Sequence, residues 1–476
     1  MLLKYFYDNA LAHASYMVGC QKNQEAIIVD PGRDIDQYLI TAKRQGVRIV
    51  AVAETHIHAD YVSGARELAE RVDARLFVSD EGPDDWKYRY VTDYDSQLLK
   101  DRDIFDIGNI SFEVMHTPGH TPESISFVLT DKGGGATKPM GVFTGDFVFV
   151  GSVGRPDLLE EVVGVKGSAE SGARDLFRSA KRFKQLPDYL QVWPAHGAGS
   201  ACGKGLGAIP SSTVGYEKML NPALQVTTEQ EFVDYILSEQ PEAPKYFAVM
   251  KRVNKEGPKV LGEGGLPPTL DVSTLVDVAR SLMLIDTSPA ESFAKGHVPN
   301  TINVPAGAVA KWAGWFVDLD EPVCLITSPG QLPEVTRVLR KIGVDHIAGV
   351  FDPNAVMAAS LRTQSYASAS PVELEPEISS GELTLVDVRS ENEWNEGHIA
   401  QAQHVFLGHL QDRAGEYTGH KVVTQCLAGG RSAIAASILQ AAGAEVINMD
   451  GGITAWKNAM LPVKGESVPS CAQSQV

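Results

Sequence analysis

The sequence predicts an α/β protein of several domains, and three observations carry that prediction. Short apolar strands that end in turn residues alternate with segments of helical period through the first half of the chain. A pattern of strand, aromatic residue, Gly-His pair and second strand occurs twice in the second half, about 100 residues apart, which means tandem domains and not a solenoid. The length, 476 residues with 43% hydrophobic content, gives a prior of about three domains with separate cores.

Taken in order, residues 1 to about 30 read as strands broken by turns, with Ala26-Ile27-Ile28-Val29-Asp30 stopping at Pro31-Gly32. Asp36 to Gln45 has helical spacing and stops at Gly46, and Ala65 to Val72 is a second helix. Between them the apolar run Val50-Ala51-Val52-Ala53 leads into Thr55-His56-Ile57-His58-Ala59-Asp60-Tyr61. At i and i+2 of an extended or turning segment, His56 and His58 point to one side, each with a lone pair to offer a transition metal.

Three later segments repeat the plan of a strand delivering a ligand-type residue to a turn. They are Met115-His116-Thr117-Pro118-Gly119-His120 after the alternating strand Ser111 to Met115, then Val142-Phe143-Thr144-Gly145-Asp146, then Val192-Trp193-Pro194-Ala195-His196. In order and context these four segments resemble the motifs of the metallo-β-lactamase superfamily, which implies an αββα sandwich over the first half of the chain. The full superfamily pattern is H-x-H-x-D-H, and Tyr61 stands where the last histidine belongs. A dinuclear site normally draws on that histidine with Asp60 and His196, so the second metal position is short of a ligand and one metal is expected.

Among mononuclear members the sequence looks most like the persulfide dioxygenases, which hold a single Fe(II). The resemblance implies His56, His120 and Asp146 as iron ligands, a 2-His-1-carboxylate triad with open positions for O2 and substrate. His58, Asp60, Tyr61 and His196 would then orient ligands or substrate from behind. It further implies that a low-molecular-weight persulfide, R–S–SH, is oxidised by O2 to sulfite with release of R–SH.

Gly151-Ser152-Val153-Gly154-Arg155-Pro156-Asp157 follows the Asp146 strand, and Arg155 is read as pairing either with Asp157 or with a substrate carboxylate. After His196, the loop Gly197 to Gly207 is glycine-rich but lacks the spacing of a phosphate-binding GxxxxGK[ST] loop. Its position suggests the substrate entrance, with Lys204 available to an anionic thiol cofactor and Cys202 either a structural thiol or a persulfide acceptor. The structural reading is preferred, because reactivity requires a lowered pKa and exposure. A helix over Glu229 to Ser238 and a linker over 256–268 close this half.

The repeat runs Leu284-Ile285-Asp286, Phe293, Gly296-His297-Val298 and Asn303-Val304, then Leu385-Val386-Asp387, Trp394, Gly397-His398-Ile399 and His404-Val405. Both copies look like rhodanese domains, a small α/β fold with a parallel sheet. The second continues Lys421 to Gln425 as a strand, then Cys426-Leu427-Ala428-Gly429-Gly430-Arg431-Ser432, then a helix from Ser432 to Gln440. Strand, cysteine, glycine loop and helix start bring N–H groups and a positive helix terminus onto Cys426, a field suited to a thiolate or persulfide anion. Rhodaneses carry sulfane sulfur on such a cysteine, and Arg431 is the natural clamp for an anion such as thiosulfate or sulfite. In the first copy, aligning Val323 with Val422 or Val423 brings Thr327 or Ser328 opposite Cys426, with Cys324 back inside the strand. That copy is expected to be non-catalytic.

The expected domains are 1–255, a metallo-β-lactamase-like persulfide dioxygenase; 268–362, a pseudo-rhodanese; and 370–470, a rhodanese. The expected partners are a small thiol persulfide, O2 and sulfite or thiosulfate, and association with further copies of the chain stays open. A net charge of −18 argues against nucleic acid or an anionic membrane surface. Five scattered cysteines, Cys20, Cys202, Cys324, Cys426 and Cys471, give no disulfide framework. With no signal-peptide pattern and no membrane-spanning apolar run, a cytoplasmic enzyme with one Fe(II) per chain is expected. The alternatives are a glyoxalase II-like thioester hydrolase working through a metal-bound hydroxide, and a non-catalytic sulfur-sensing scaffold.

Overall fold

The computed structural model describes residues 1–465 apart from 165, 239 and 263, so Cys471 and the end of the expected rhodanese domain lie outside the described residues. The chain divides into two compact units, Met1–Gly265 with Arg337–Gly343, and Leu266–Thr336 with the chain from Val344 onward.

The first unit is built on two six-stranded sheets. One takes its strands in chain order, Leu2–Asp8, His13–Cys20, Glu25–Val29, Arg48–Ala53, Arg75–Ser79 and Ser96–Leu99. Its first three strands pair antiparallel and the rest parallel. The other sheet runs Ser212–Thr213, Gln191–Pro194, Gly141–Gly145, Ile125–Asp131, Ile110–His116, Ile104–Ile107.

Period-2 alternation decides what each sheet buries. Ala14, Tyr16, Val18 and Cys20 join Phe112, Phe127, Phe143 and Trp193 of the other sheet in one core, whereas Met17 packs under Tyr38 and Leu68 of the outer helices. The opposite face is covered by Leu176, Phe177 and Phe183 of helix Ser168–Phe183 and Phe232 of helix Glu229–Leu237. The architecture is therefore helix, sheet, sheet, helix, and it buries ligand-bearing strand ends at one edge.

Helices Asp36–Gln45 and Ala65–Val72 have their predicted ends. Gly46 closes the first at φ 66°, a left-handed conformation suited to glycine. The helix predicted over Glu229 to Ser238 ends one residue earlier, because Ser238 has extended φ/ψ.

The second unit holds the two copies of the repeat as two parallel sheets. The first sheet is Thr301–Asn303, Met283–Asp286, Val323–Ile326, Ile347–Phe351, and the second Ala367–Ala369, Glu445–Met449, Lys421–Gln425, Thr384–Asp387, Gln403–His404. Among the described residues no helix is long and apolar enough to cross a membrane.

Candidate metal centre and sulfur-transfer loop

The strand Arg48–Ala53 runs directly into Glu54-Thr55-His56, and Asp30, at the end of the neighbouring strand, fixes that exit. The Asp30 carboxylate accepts the Thr55 N–H at 2.7 Å and its hydroxyl at 2.9 Å. With its proton so used, the Thr55 oxygen accepts from His56 Nδ1 at 3.0 Å, which leaves the Nε2 lone pair of His56 free. His120 is set the same way: its Nδ1 donates to the Arg155 carbonyl at 2.8 Å. Gly119, at φ 150° and with Leu176 2.5 Å from where a Cβ would stand, makes the tight turn that delivers it.

The two free imidazole nitrogens meet one carboxylate oxygen. His56 Nε2 lies 3.8 Å and His120 Nε2 3.5 Å from Asp146 Oδ2, and the three ligand atoms lie within 4.8 Å of one another. Burial holds both imidazoles below their usual pKa, so they are neutral donors. All three residues are buried, and His56 Nε2 and Asp146 Oδ2 have no hydrogen-bond partner, a costly arrangement for apolar surroundings and a natural one for a bound cation. The donor set, two imidazoles and a carboxylate, fits a first-row divalent metal.

The other Asp146 oxygen accepts from His196 Nδ1 at 2.7 Å, and His196 Nε2 lies 2.8 Å from Asp60 Oδ2. Burial opposes a charge on His196, but the two flanking carboxylates prevail and raise its pKa to about 10. Cys202 stands beside this pair, its Sγ within 4.8 Å of ligand atoms of Asp60 and His196. The thiol is 1% exposed, in a small apolar cluster with Phe149 and Leu206, and burial, then Asp60 and Asp146, push its pKa well up.

His58 does not join the three convergent atoms. Its Nε2 sits 3.2 Å from Asp30 and 3.1 Å from Glu54, which keep it protonated against the cost of burial, while its Nδ1 has no partner. Tyr61 directs its hydroxyl to the Asp30 carbonyl at 3.4 Å and packs its ring on His13, centroids 3.9 Å apart. Its oxygen is therefore turned to Asp30 and does not replace the missing histidine beside Asp60.

Several supporting residues escape a reading of the sequence. Asp30, Glu54 and His13 surround the motif, and Asn254, on helix Tyr246–Glu256, donates to the carbonyls of His58 at 2.8 Å and Tyr61 at 2.7 Å and accepts the Ser63 N–H at 2.9 Å. Only Asp30 carried a signal, as the polar residue closing an apolar strand. Of the two roles open to Arg155, pairing with Asp157 is the one present: the guanidinium is fully buried and holds that carboxylate with two nitrogens, at 2.9 and 2.5 Å. The Lys204 ammonium is bound to the carbonyl and hydroxyl of Ser238 at 3.0 and 3.1 Å and lies over the Tyr235 ring.

In the second unit Cys426 follows strand Lys421–Gln425, and Gly429, at φ 101°, turns its N–H onto Sγ at 3.1 Å. The Ser432 hydroxyl lies 3.5 Å from the sulfur, and the helix starts at Gly430, two residues earlier than predicted, because Gly429 caps it in the left-handed conformation. Leu427 is exposed at the lip of the loop. Arg431 does not stand free as a clamp: both terminal nitrogens donate to Glu393, at 2.5 and 2.7 Å. In the other copy, the register Asp286 to Ile326 matches Asp387 to Gln425, so Thr327, not Ser328, is the counterpart of Cys426. The Thr327 oxygen accepts from Thr287 at 2.7 Å, and Cys324 is buried within its strand.

The Metallo-beta-lactamase superfamily is matched over residues 8–196 and the Rhodanese-like domain over residues 370–459. The chain is similar to the mitochondrial persulfide dioxygenase of Bos taurus, 27% identical over 240 residues that make up 49% of this chain and 79% of that protein. It is also similar to a probable polyketide biosynthesis zinc-dependent hydrolase of Bacillus velezensis, 25% identical over 230 residues, 48% of this chain and 89% of that one. Among solved structures it is similar to a metallo-beta-lactamase from Staphylococcus aureus subsp. aureus COL, with 42% identity and a TM-score of 0.67 over 74% of this chain and 99% of that one.

Proposed function

The chain belongs to the metallo-β-lactamase superfamily through its N-terminal domain and carries a rhodanese-like domain at its C-terminus, and from that premise we propose that it is a persulfide dioxygenase coupled to sulfur transfer. The domains proposed for the two activities and the spacer between them are 1–255, 370–470 and 268–362. The observation that carries the reading is the buried convergence of His56, His120 and Asp146, with Tyr61 turned away from Asp60.

Ferrous iron held by those three residues would supply open positions at which O2 and a thiol persulfide meet. The chain's own contribution is orientation. Thr55 and the Arg155 carbonyl lock the two imidazoles, and Asp60 through His196 fixes the Asp146 carboxylate, leaving its second oxygen to the metal. Oxidation of the terminal sulfur yields sulfite and a thiol.

At the second site, the Cys426 thiolate takes a sulfane sulfur, and sulfite attacks the resulting persulfide to leave as thiosulfate, regenerating the thiolate. Covalent linkage of the two sites raises the effective concentration of the shared product. The four described cysteines are unpaired, in keeping with a reducing, cytoplasmic setting.

A second reading, zinc-dependent hydrolysis, draws support from the Bacillus relative and from the ligand atoms of Asp60, His196 and Cys202, which also lie within 4.8 Å of one another. The two readings separate on oxygen. We expect His56→Ala, His120→Ala and Asp146→Ala to abolish iron binding and persulfide-dependent O2 uptake together, and His58→Ala to retain most iron. Thioester hydrolysis without O2, lost in the same variants, would establish the hydrolase instead.

A further inference from the structure

Between Cys426 and Ser432 the rhodanese loop holds one basic residue, Arg431. Its two terminal nitrogens are both occupied by one carboxylate, that of Glu393, at 2.5 and 2.7 Å. Glu393 is itself pinned: its Oε2 also accepts the N–H and the hydroxyl of Ser390, each at 3.1 Å, and its own N–H donates to the Ser390 hydroxyl oxygen at 3.2 Å, the reciprocal pair of backbone bonds capping the helix Glu391–Glu396. Although burial works against its ionisation, the Arg431 contact holds the Glu393 carboxyl down to about 2, so the pair stays ionised. Swinging Arg431 toward a ligand would break a bidentate ion pair and leave Glu393 facing the loop.

A second guanidinium of this domain, between strand Thr384–Asp387 and helix Glu391–Glu396, is no freer. Arg389 donates to Asp387 at 2.6 to 3.0 Å and to the carbonyls of Glu393 and Gly397 at 2.9 Å each. The positive field on Cys426 therefore comes from neutral groups: the Gly429 N–H at 3.1 Å and the start of the helix Gly430–Ala441, the Ser432 hydroxyl donating to the Gly429 carbonyl instead. Such a field matches one negative charge on sulfur and offers little to a second.

We infer that Glu393 sets the donor specificity of the sulfur-transfer site, by neutralising Arg431 so that the loop takes sulfur from a thiol persulfide in preference to dianionic thiosulfate. The inference rests on the reading of Cys426 as the sulfur carrier. In the step itself the Cys426 thiolate attacks the terminal sulfur of R–S–SH. The new S–S bond forms as the old one breaks, RS⁻ leaves, and the proton stays on the transferred sulfur, so nothing is oxidised or reduced overall. With thiosulfate the same attack would have to bring a thiolate up to a dianion beside a carboxylate, and the reverse of that step, sulfite attack on the Cys426 persulfide, passes through the same transition state, so Glu393 slows thiosulfate formation in the same proportion.

The test uses the full chain, with glutathione persulfide and thiosulfate as alternative donors and cyanide as the acceptor, comparing wild type with Glu393→Gln. Glutamine keeps the helix cap and a hydrogen bond to Arg431 but removes the charge. The expected result is a rise of roughly three- to tenfold in kcat/KM for thiosulfate, with the persulfide value changed by less than about twofold. The wild-type thiosulfate rate should be nearly flat with ionic strength, and that of Glu393→Gln should fall steeply as salt is added. Equal changes for both donors, no gain with thiosulfate, or a steep salt-induced fall in the wild type would overturn the inference. The wild-type salt profile decides the matter even if the variant fails to fold. Loss of the underlying reading looks different: transfer would persist in Cys426→Ser.

Discussion

Asn254 offers the most direct handle on how the metal-site loop is held. Its side chain makes three hydrogen bonds, all to the backbone of the stretch His58 to Ser63, and it is 2% exposed. Asn254→Ala removes all three partners at once and strands two carbonyls and one N–H inside the protein. At a net loss of about 1 kcal/mol per bond, and more where a buried group is left unpaired, the cost is about 3–5 kcal/mol. For a domain of this size about 1 kcal/mol moves Tm by about 2–4 °C, so the expected drop is about 6–20 °C.

The assay is calorimetry of the transition that added metal stabilises, read with the iron retained after dialysis. Asn254→Asp should do no better than alanine, because it keeps the acceptor for Ser63 but aims an oxygen at two carbonyls. A shift below about 2 °C in either variant, with iron kept, would refute the claim that this helix anchors the loop.

Two further predictions bear on the sites themselves. In Gly154→Ala the new Cβ would fall on the carbonyl oxygen of Asp146 and 3.1 Å from His120 Cβ, so metal affinity should drop at least about tenfold while circular dichroism stays native; metal binding at wild-type strength would contradict the geometry. Cys426→Ser should eliminate sulfur transfer and turn the product from thiosulfate to sulfite while O2 uptake continues, since a serine hydroxyl cannot carry sulfur, and Cys324→Ser, buried in its strand, should change neither activity; chromatography of the sulfur products checks both.

The parts of this protein that could be read from sequence share a property: each ligand-type residue follows a strand, directly or after a short turn, so the local pattern already says at which strand end it stands. His56, His120, Asp146 and Cys426 are of this kind. What could not be read depends on separate strand ends and helices converging. Asn254 reaches its partners from 196 residues away, and Asp30 matters only because its strand lies beside that of Thr55. Arg431 and Lys204 show the same limit from the other side. Their charges suggested anion binding, but Glu393 and Ser238, distant in the chain, already occupy them. Register was also out of reach, since Thr327 and Ser328 were equal candidates until the pairing of Asp286 with Ile326 chose between them.

A mononuclear iron site acting on persulfides is tested most directly by elemental analysis of purified enzyme alongside O2 electrode traces on adding glutathione persulfide. O2 uptake should rise in proportion to iron, saturating at one iron per chain at the His56 site, and vanish in His120→Ala. Fully active protein holding two zinc ions per chain and no iron would contradict it.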